Sequence, residues 1–154
     1  MKNEDIIVVN LQGQAINNQE KPSAETLLHT SLYELFPATG AVLHTHSIAA
    51  TVLSRYLSGQ ACLALQGYEM QKALTGQSTH TAKLEIPIFE NNQDIASLAR
   101  EATSYFEQHP QVPAYLIRGH GLYTWGKDMQ TCLRHIEALE FLLQCQIEQI
   151  KMGK

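Results

Sequence analysis

Seven histidines stand in this chain of 154 residues, and three of them occupy positions that chemistry could use. In Ala41-Val42-Leu43-His44-Thr45-His46-Ser47, three apolar residues run into two imidazoles separated by one residue. Residues two apart in an extended strand share a face, so His44 and His46 would project together from a strand end. Two neutral ring nitrogens so placed suit a metal ion. Taken in isolation, the pair reads slightly better as two half-buried histidines bonded to the backbone. A third histidine, His120, follows the apolar run Ala114-Tyr115-Leu116-Ile117-Arg118 and lies between Gly119 and Gly121. Those glycines allow tight turns and leave the ring uncovered. If the two strands are neighbours, three imidazoles converge and leave coordination positions open, as in a catalytic rather than a structural metal site. Zinc, iron, manganese, cobalt and nickel all accept that donor set. A reaction also needs a proton-transfer group. Glu25 falls in the first turn of a predicted helix, where the dipole favours a carboxylate. Glu69 follows Gln66-Gly67-Tyr68, an apolar context that would raise its pKa. The residues alone do not rank the two.

The elements that must position these groups follow from periodicity. Ile6–Leu11 is a β-branched run ending at Gln12-Gly13, and its continuous apolar character predicts a strand buried on both faces. Asn17–Pro22 reads as a polar loop. Ser23 is the predicted cap of a helix whose inward stripe is Leu27, Leu28, Ser31, Leu32 and Leu35, stopping at Phe36-Pro37. After the strand ending at His44, Ser47 caps a helix over Ile48–Leu57 with Ala49, Val52, Leu53 and Tyr56 at core spacing. Cys62–Leu65 is a short apolar piece, and Leu84–Phe89 is strand-like, with Pro87 marking an edge or an irregular point. Asn92-Gln93-Asp94 caps a helix to about Gln108 with Ile95, Leu98, Ala99, Ala102, Tyr105 and Phe106 inward. From Asp128 a long amphipathic helix places Met129, Cys132, Leu133, Ile136, Leu139, Leu143, Ile147 and Ile150 on one stripe, with His135 off it and exposed.

Composition narrows the function classes. The net charge is −4, with 15 acidic against 11 basic residues, and no basic cluster is present, which argues against nucleic-acid binding. No apolar run reaches membrane-spanning length, and the first residues lack a signal-peptide pattern, so a cytoplasmic protein with no membrane partner is expected. Three cysteines, with no CxxC spacing, read as buried thiols in a reducing compartment.

Three segments together carry a resemblance: Pro22-Ser23-Ala24-Glu25-Thr26-Leu27-Leu28-His29-Thr30, the His44/His46 stretch, and Arg118-Gly119-His120-Gly121-Leu122-Tyr123-Thr124-Trp125-Gly126. They resemble the class II aldolase/adducin family, with support from Gln66–Met70 and Pro87–Ile95, and the likeness runs along essentially the whole chain. The resemblance implies an α/β fold: a three-layer αβα sandwich on a mixed, largely antiparallel sheet. It also implies a homo-oligomer, commonly a tetramer, with the site near a subunit interface. It implies one zinc ion per subunit at His44, His46 and His120, and a small sugar phosphate as substrate. Glu69 matches the catalytic glutamate of the family's dehydratases, and Glu25 the working glutamate of its aldolases. Ser23 falls in a segment that helps bind substrate phosphate. The nearest branch implies a zinc-dependent lyase that removes water from 5-methylthioribulose 1-phosphate in methionine salvage. A ketose-phosphate aldolase or epimerase is the alternative, and a non-catalytic adducin-like domain is another. Relatives carry a Gly-Asn-x-Ser phosphate loop ahead of the segment matching Ile6–Leu11, and this sequence has no Gly-Asn pair. A single domain over residues 1–154, truncated at its N-terminus, is the corresponding expectation.

Overall fold

The computed structural model describes residues 6–16 and 21–153. Most of the expected Asn17–Pro22 loop, residues 17–20, lies outside the described residues. Five strands form one sheet: β1 (Ala41–Thr45), β2 (Cys62–Leu65), β3 (Leu84–Phe89), β4 (Ala114–Ile117) and β5 (Gly121–Gly126), in the order β1-β5-β4-β3-β2. Every pairing is antiparallel except β3 with β4, so the sheet is mixed and largely antiparallel, as expected. Four helices cover it: α1 (Thr26–Leu35), α2 (Ile48–Tyr56), α3 (Ile95–Gln108) and α4 (Met129–Lys151). The helices pack in pairs, α1 on α3 and α2 on α4. Every residue of β4 and β5 is buried, as central strands covered on both faces must be. On the α1/α3 face an aromatic cluster fills the core, with Phe106 of α3 edge-on to Phe36, Phe89 and Trp125. Tyr115 stacks on Tyr123 at 4.8 Å, continuing that cluster toward the site.

The caps explain the helix starts. Ser47, Asp94 and Asp128 each accept a backbone N–H three residues on, from Ala50, Ser97 and Thr131. Ser23 does not cap in this way. The helix begins later, with Glu25 at its N-cap position, and the Ser23 hydroxyl accepts the Glu25 N–H. Pro87 lies inside the sheet, not at its edge. Its position is the irregular point: β3 pairs with β2 through Pro87 and with β4 only from Ile88 onward. That handover leaves a residue with no N–H to donate where no ladder bond to β4 is needed.

Several burial expectations are corrected. Ile6–Leu11 is not a doubly buried strand: it makes one isolated bridge, Val9 to Ala15, and Ile6, Val8 and Leu11 are exposed. The segment turns back on itself through Asn10–Gln14 hydrogen bonds and joins no sheet in this chain. Val52 and Tyr56 of α2 and Met129 and Leu133 of α4 are also exposed. The inward faces are set instead by Ala49, Ala50, Leu53 and Ser54, and by Cys132, His135, Ala138, Leu139, Leu142 and Leu143. Of the free cysteines, Cys132 is fully buried, whereas Cys62 and Cys145 are half-buried.

His135 departs furthest from expectation, being only 1% exposed. Its Nδ1 lies 2.8 Å from the Trp125 carbonyl, and its Nε2 accepts the Thr75 N–H at 3.0 Å. A neutral ring satisfies both contacts, with Nδ1–H as donor and Nε2 as acceptor. Burial lowers the pKa of His135, and of His29 likewise. The unfolded chain therefore takes up protons more readily as pH falls through the ordinary imidazole range, near 6.5, and stability declines below that range. Denaturant unfolding at pH 7.5 and pH 5.5 should show this decline, and the decline should be shallower in His135→Gln, which cannot titrate.

Candidate metal centre

The site forms where β1 ends beside the start of β5. His44 lies opposite Tyr123 in the ladder, and the two rings stack 4.0 Å apart at 17°. Parity then carries His46 to the same side, with its ring centroid 4.6 Å from that of His44. His120 closes the group from the tight turn between β4 and β5, where its N–H bonds to the Ile117 carbonyl. Its ring lies 5.1 Å from His44 and 4.6 Å from His46. The two flanking glycines are required by space and by backbone. Gly119 sits at φ +68°, and a Cβ on Gly121 would lie 2.1 Å from the Thr45 carbonyl oxygen.

Glu25 reaches the group from the N-terminus of α1. Its Oε1 lies 2.9 Å from His120 Nε2, and its Oε2 lies 3.4 Å from His44 Nε2. The Tyr123 hydroxyl donates to Glu25 Oε2 at 3.1 Å. Burial and the neighbouring Glu25 push the Tyr123 phenol well up, so it stays protonated as that donor. Glu25, His44, His46 and His120 thus offer four ligand atoms within 4.8 Å of one another. A cavity of about 350 Å³ opens beside them, lined in part by Asn91, Gln93 and Ile95 from the start of α3.

The protonation pattern suits a cation. His44 Nδ1 lies 3.0 Å from the Leu122 carbonyl, which fixes the proton on Nδ1 and leaves the Nε2 lone pair free. That Nε2 is buried without a hydrogen-bond partner. Burial holds the His44 pKa down at about 4, so the ring is neutral near pH 7. His46 Nε2 and His120 Nε2 face each other at 2.9 Å. Two ring nitrogens at that distance need a proton on one of them or a cation held between them. An orphaned buried acceptor, three imidazoles and a carboxylate fit a divalent transition metal.

The structure brings together four of the six residues singled out by the sequence. Ser23 is not in the group; it lines a separate groove with Ile7, Val9, Asn10 and Leu11, of which Glu25 is no part. Glu69 is also absent from it. It begins an exposed 3-10 turn, Glu69–Ala73, where its carboxylate is 2.6 Å from Lys72 and 3.6 Å from His80. The Lys72 hydrogen bond holds its carboxyl below the ordinary range, opposite to the rise expected from an apolar context. The expected shift fails because the group is solvated and paired. Sequence reading missed Tyr123, whose role depends on lying opposite His44, a pairing between residues 79 positions apart in sequence.

The family described as "Class II Aldolase and Adducin N-terminal domain" matches residues 1–147. A methylthioribulose-1-phosphate dehydratase of Marinobacter nauticus is 56% identical over 150 residues, covering 97% of this chain and 72% of its own length. One from Hahella chejuensis is 53% identical over 149 residues, with 97% and 72% covered. Among solved structures, an L-fuculose 1-phosphate aldolase superposes with a TM-score of 0.77 at 20% identity, covering all of this chain, which spans 66% of that one. At that identity the likeness concerns the fold. Among the described residues, no helix is long and apolar enough to cross a membrane.

A cation that binds the folded chain alone must stabilise it, by about 2.7 kcal/mol at a hundredfold excess over Kd. Zinc or cobalt added to chelator-treated protein should raise the unfolding midpoint accordingly, and the rise should vanish in His44→Ala.

Proposed function

Because the chain belongs to the class II aldolase and adducin family, we propose that it is a zinc-dependent lyase that removes water from 5-methylthioribulose 1-phosphate, yielding 5-methylthio-2,3-dioxopentyl phosphate in methionine salvage. The observation that carries this reading is the Glu25–His44–His46–His120 group with its orphaned ring nitrogen, in a chain more than half identical to dehydratases of that name. His44, His46 and His120 would hold the ion, which when bound supplies Lewis acidity toward the substrate's carbonyl.

The protein's own groups do the rest. Glu25 accepts hydrogen bonds at the cavity wall, where the Tyr123 hydroxyl orients it toward a bound hydroxyl. The neighbouring amides of Asn91 and Gln93 offer donors and acceptors to the hydroxyls of a ketose. Ser23 itself lines another groove, and the proposed phosphate contact of its segment would run through the following residues, Ala24 and Glu25, which line the cavity. Dehydration requires loss of the C3 proton and departure of the C4 hydroxyl. Glu69 is the proposed proton carrier. In this reading it takes the C3 proton and gives a proton to the departing C4 hydroxyl. Since it stands fully exposed and outside its own chain's cavity, it would act at the site of a neighbouring copy within a homo-oligomer, a tetramer in this reading.

One observation favours a second reading. The carboxylate beside the histidines is Glu25, the position matching the working glutamate of the family's aldolases, so carbon–carbon cleavage of a ketose phosphate is the rival chemistry. Product analysis separates them. Incubation of the zinc-loaded protein with 5-methylthioribulose 1-phosphate should yield the diketone phosphate. Release of dihydroxyacetone phosphate or glycolaldehyde phosphate from other ketose phosphates would support the aldolase instead. Glu69→Gln should lower dehydration by two or more powers of ten, about the usual contribution of a positioned acid or base. Mixed oligomers of Glu69→Gln with His44→Ala should recover part of the activity that each variant lacks alone.

A further inference from the structure

Three successive residues of the turn that delivers His120 are tied to one helix. The Arg118 guanidinium donates to the carbonyls of Ser54, Leu57 and Gln60 at the C-terminal end of α2. The Gly119 N–H donates to Ser54 Oγ at 3.0 Å, and Thr51 Oγ1 donates to the His120 carbonyl at 3.0 Å. The Ser54 hydroxyl is fully buried, and its own proton goes to the Thr51 carbonyl, which fixes it as the acceptor for Gly119. At the other end of α2, Ser47 caps the helix, and the residue just before the cap is His46. One rigid nine-residue helix therefore sets where His46 leaves the chain and where the His120 turn is held.

None of these bonds is needed to complete the apolar core. They converge on a turn that carries no core side chain and whose next side chain, His120, enters the histidine group. Gly119 is held at φ +68° against the Arg55 side chain, so the turn has little freedom to shift along α2. A displacement of the turn would change the 2.9 Å separation of the His46 and His120 ring nitrogens directly. Groups that orient ligands from behind typically govern metal affinity by 10–100-fold.

We propose that Thr51 and Ser54 are positioning residues for the metal, holding the His120 turn in register with His46 across α2. This rests on the metal assignment made above. The test is cobalt(II) titration of the full-length chain after removal of metal by chelation, read by visible absorption, with the far-ultraviolet circular dichroism of each variant compared with wild type. Thr51→Val and Ser54→Ala should each bind cobalt about 10–100-fold more weakly, with an altered ligand-field band and an unchanged helical signal. Thr51→Ser, which keeps the hydroxyl, should restore wild-type affinity and spectrum. Wild-type affinity and spectrum in Thr51→Val and Ser54→Ala would overturn the positioning role while leaving the metal site intact. So would a Thr51→Ser variant that binds as weakly as Thr51→Val. A wild-type chain that binds no cobalt would overturn the metal assignment itself, and this proposal with it.

Discussion

The antiparallel pairing of β1 with β5 is the constraint on which the site depends. It sets His44 opposite Tyr123 and Thr45 opposite Leu122, so the end of one strand meets the beginning of the other. The same pairing supplies the Leu122 carbonyl that fixes the His44 tautomer, the Tyr123 ring that His44 stacks on, and the Tyr123 hydroxyl that orients Glu25. It closes so tightly that only a glycine fits at position 121. A slip of one residue would turn His44 to the opposite face and break every one of these relations together.

Burial at this corner is graded, and the gradient has chemical meaning. His44 is the innermost of the three imidazoles and the one driven firmly neutral by desolvation, while His46 stands at the exposed mouth. A buried neutral ring with an unsatisfied acceptor is costly, of the order of 1–3 kcal/mol, unless something occupies that lone pair. The aromatic and aliphatic core behind it, from Phe106 through Tyr115 to Tyr123, is packed so that the ring cannot turn away to find water. The fold thus holds an acceptor in place for a cation.

Local sequence carried much of this. Strand parity in His44-Thr45-His46, the caps at Ser47 and Asp94, and the glycines around His120 depend on neighbours in the chain, and each is found where periodicity and turn chemistry put it. Two failures are local, Ser23 giving up the cap position to Glu25 and Glu69 pairing with Lys72, and the rest depend on distant partners. Val52 and Tyr56 share a helical face with each other, but periodicity does not say whether that face meets the sheet or solvent, and Ala50 and Ser54 take the inward positions instead. The Ile6–Leu11 run has the composition of a buried strand, yet among the described residues it has no strand alongside but its own return at Ala15. His135, read from periodicity as off the stripe, lies on the buried face of α4 with Cys132 and Leu139, where Trp125 and Thr75 satisfy both its nitrogens. Thr51 and Ser54 read as ordinary polar helix residues until the β4–β5 turn is laid against them.

The two carboxylates occupy environments that differ in kind. Glu25 is half-buried at a helix N-terminus, where it accepts from a phenol and lies 2.9 Å from a histidine nitrogen. Glu69 is in water, beside a lysine. In the proposed reading the two divide labour: Glu25, held at the donor group, orients, and the exposed Glu69 carries protons once an apposed surface removes it from water and from Lys72. Desolvation on that apposition would raise its pKa toward the operating range, which is where proton transfer in both directions becomes efficient. The exposure of Glu69 in a single chain is consistent with that proposal, because a group that serves a neighbouring copy must be reachable from outside its own chain.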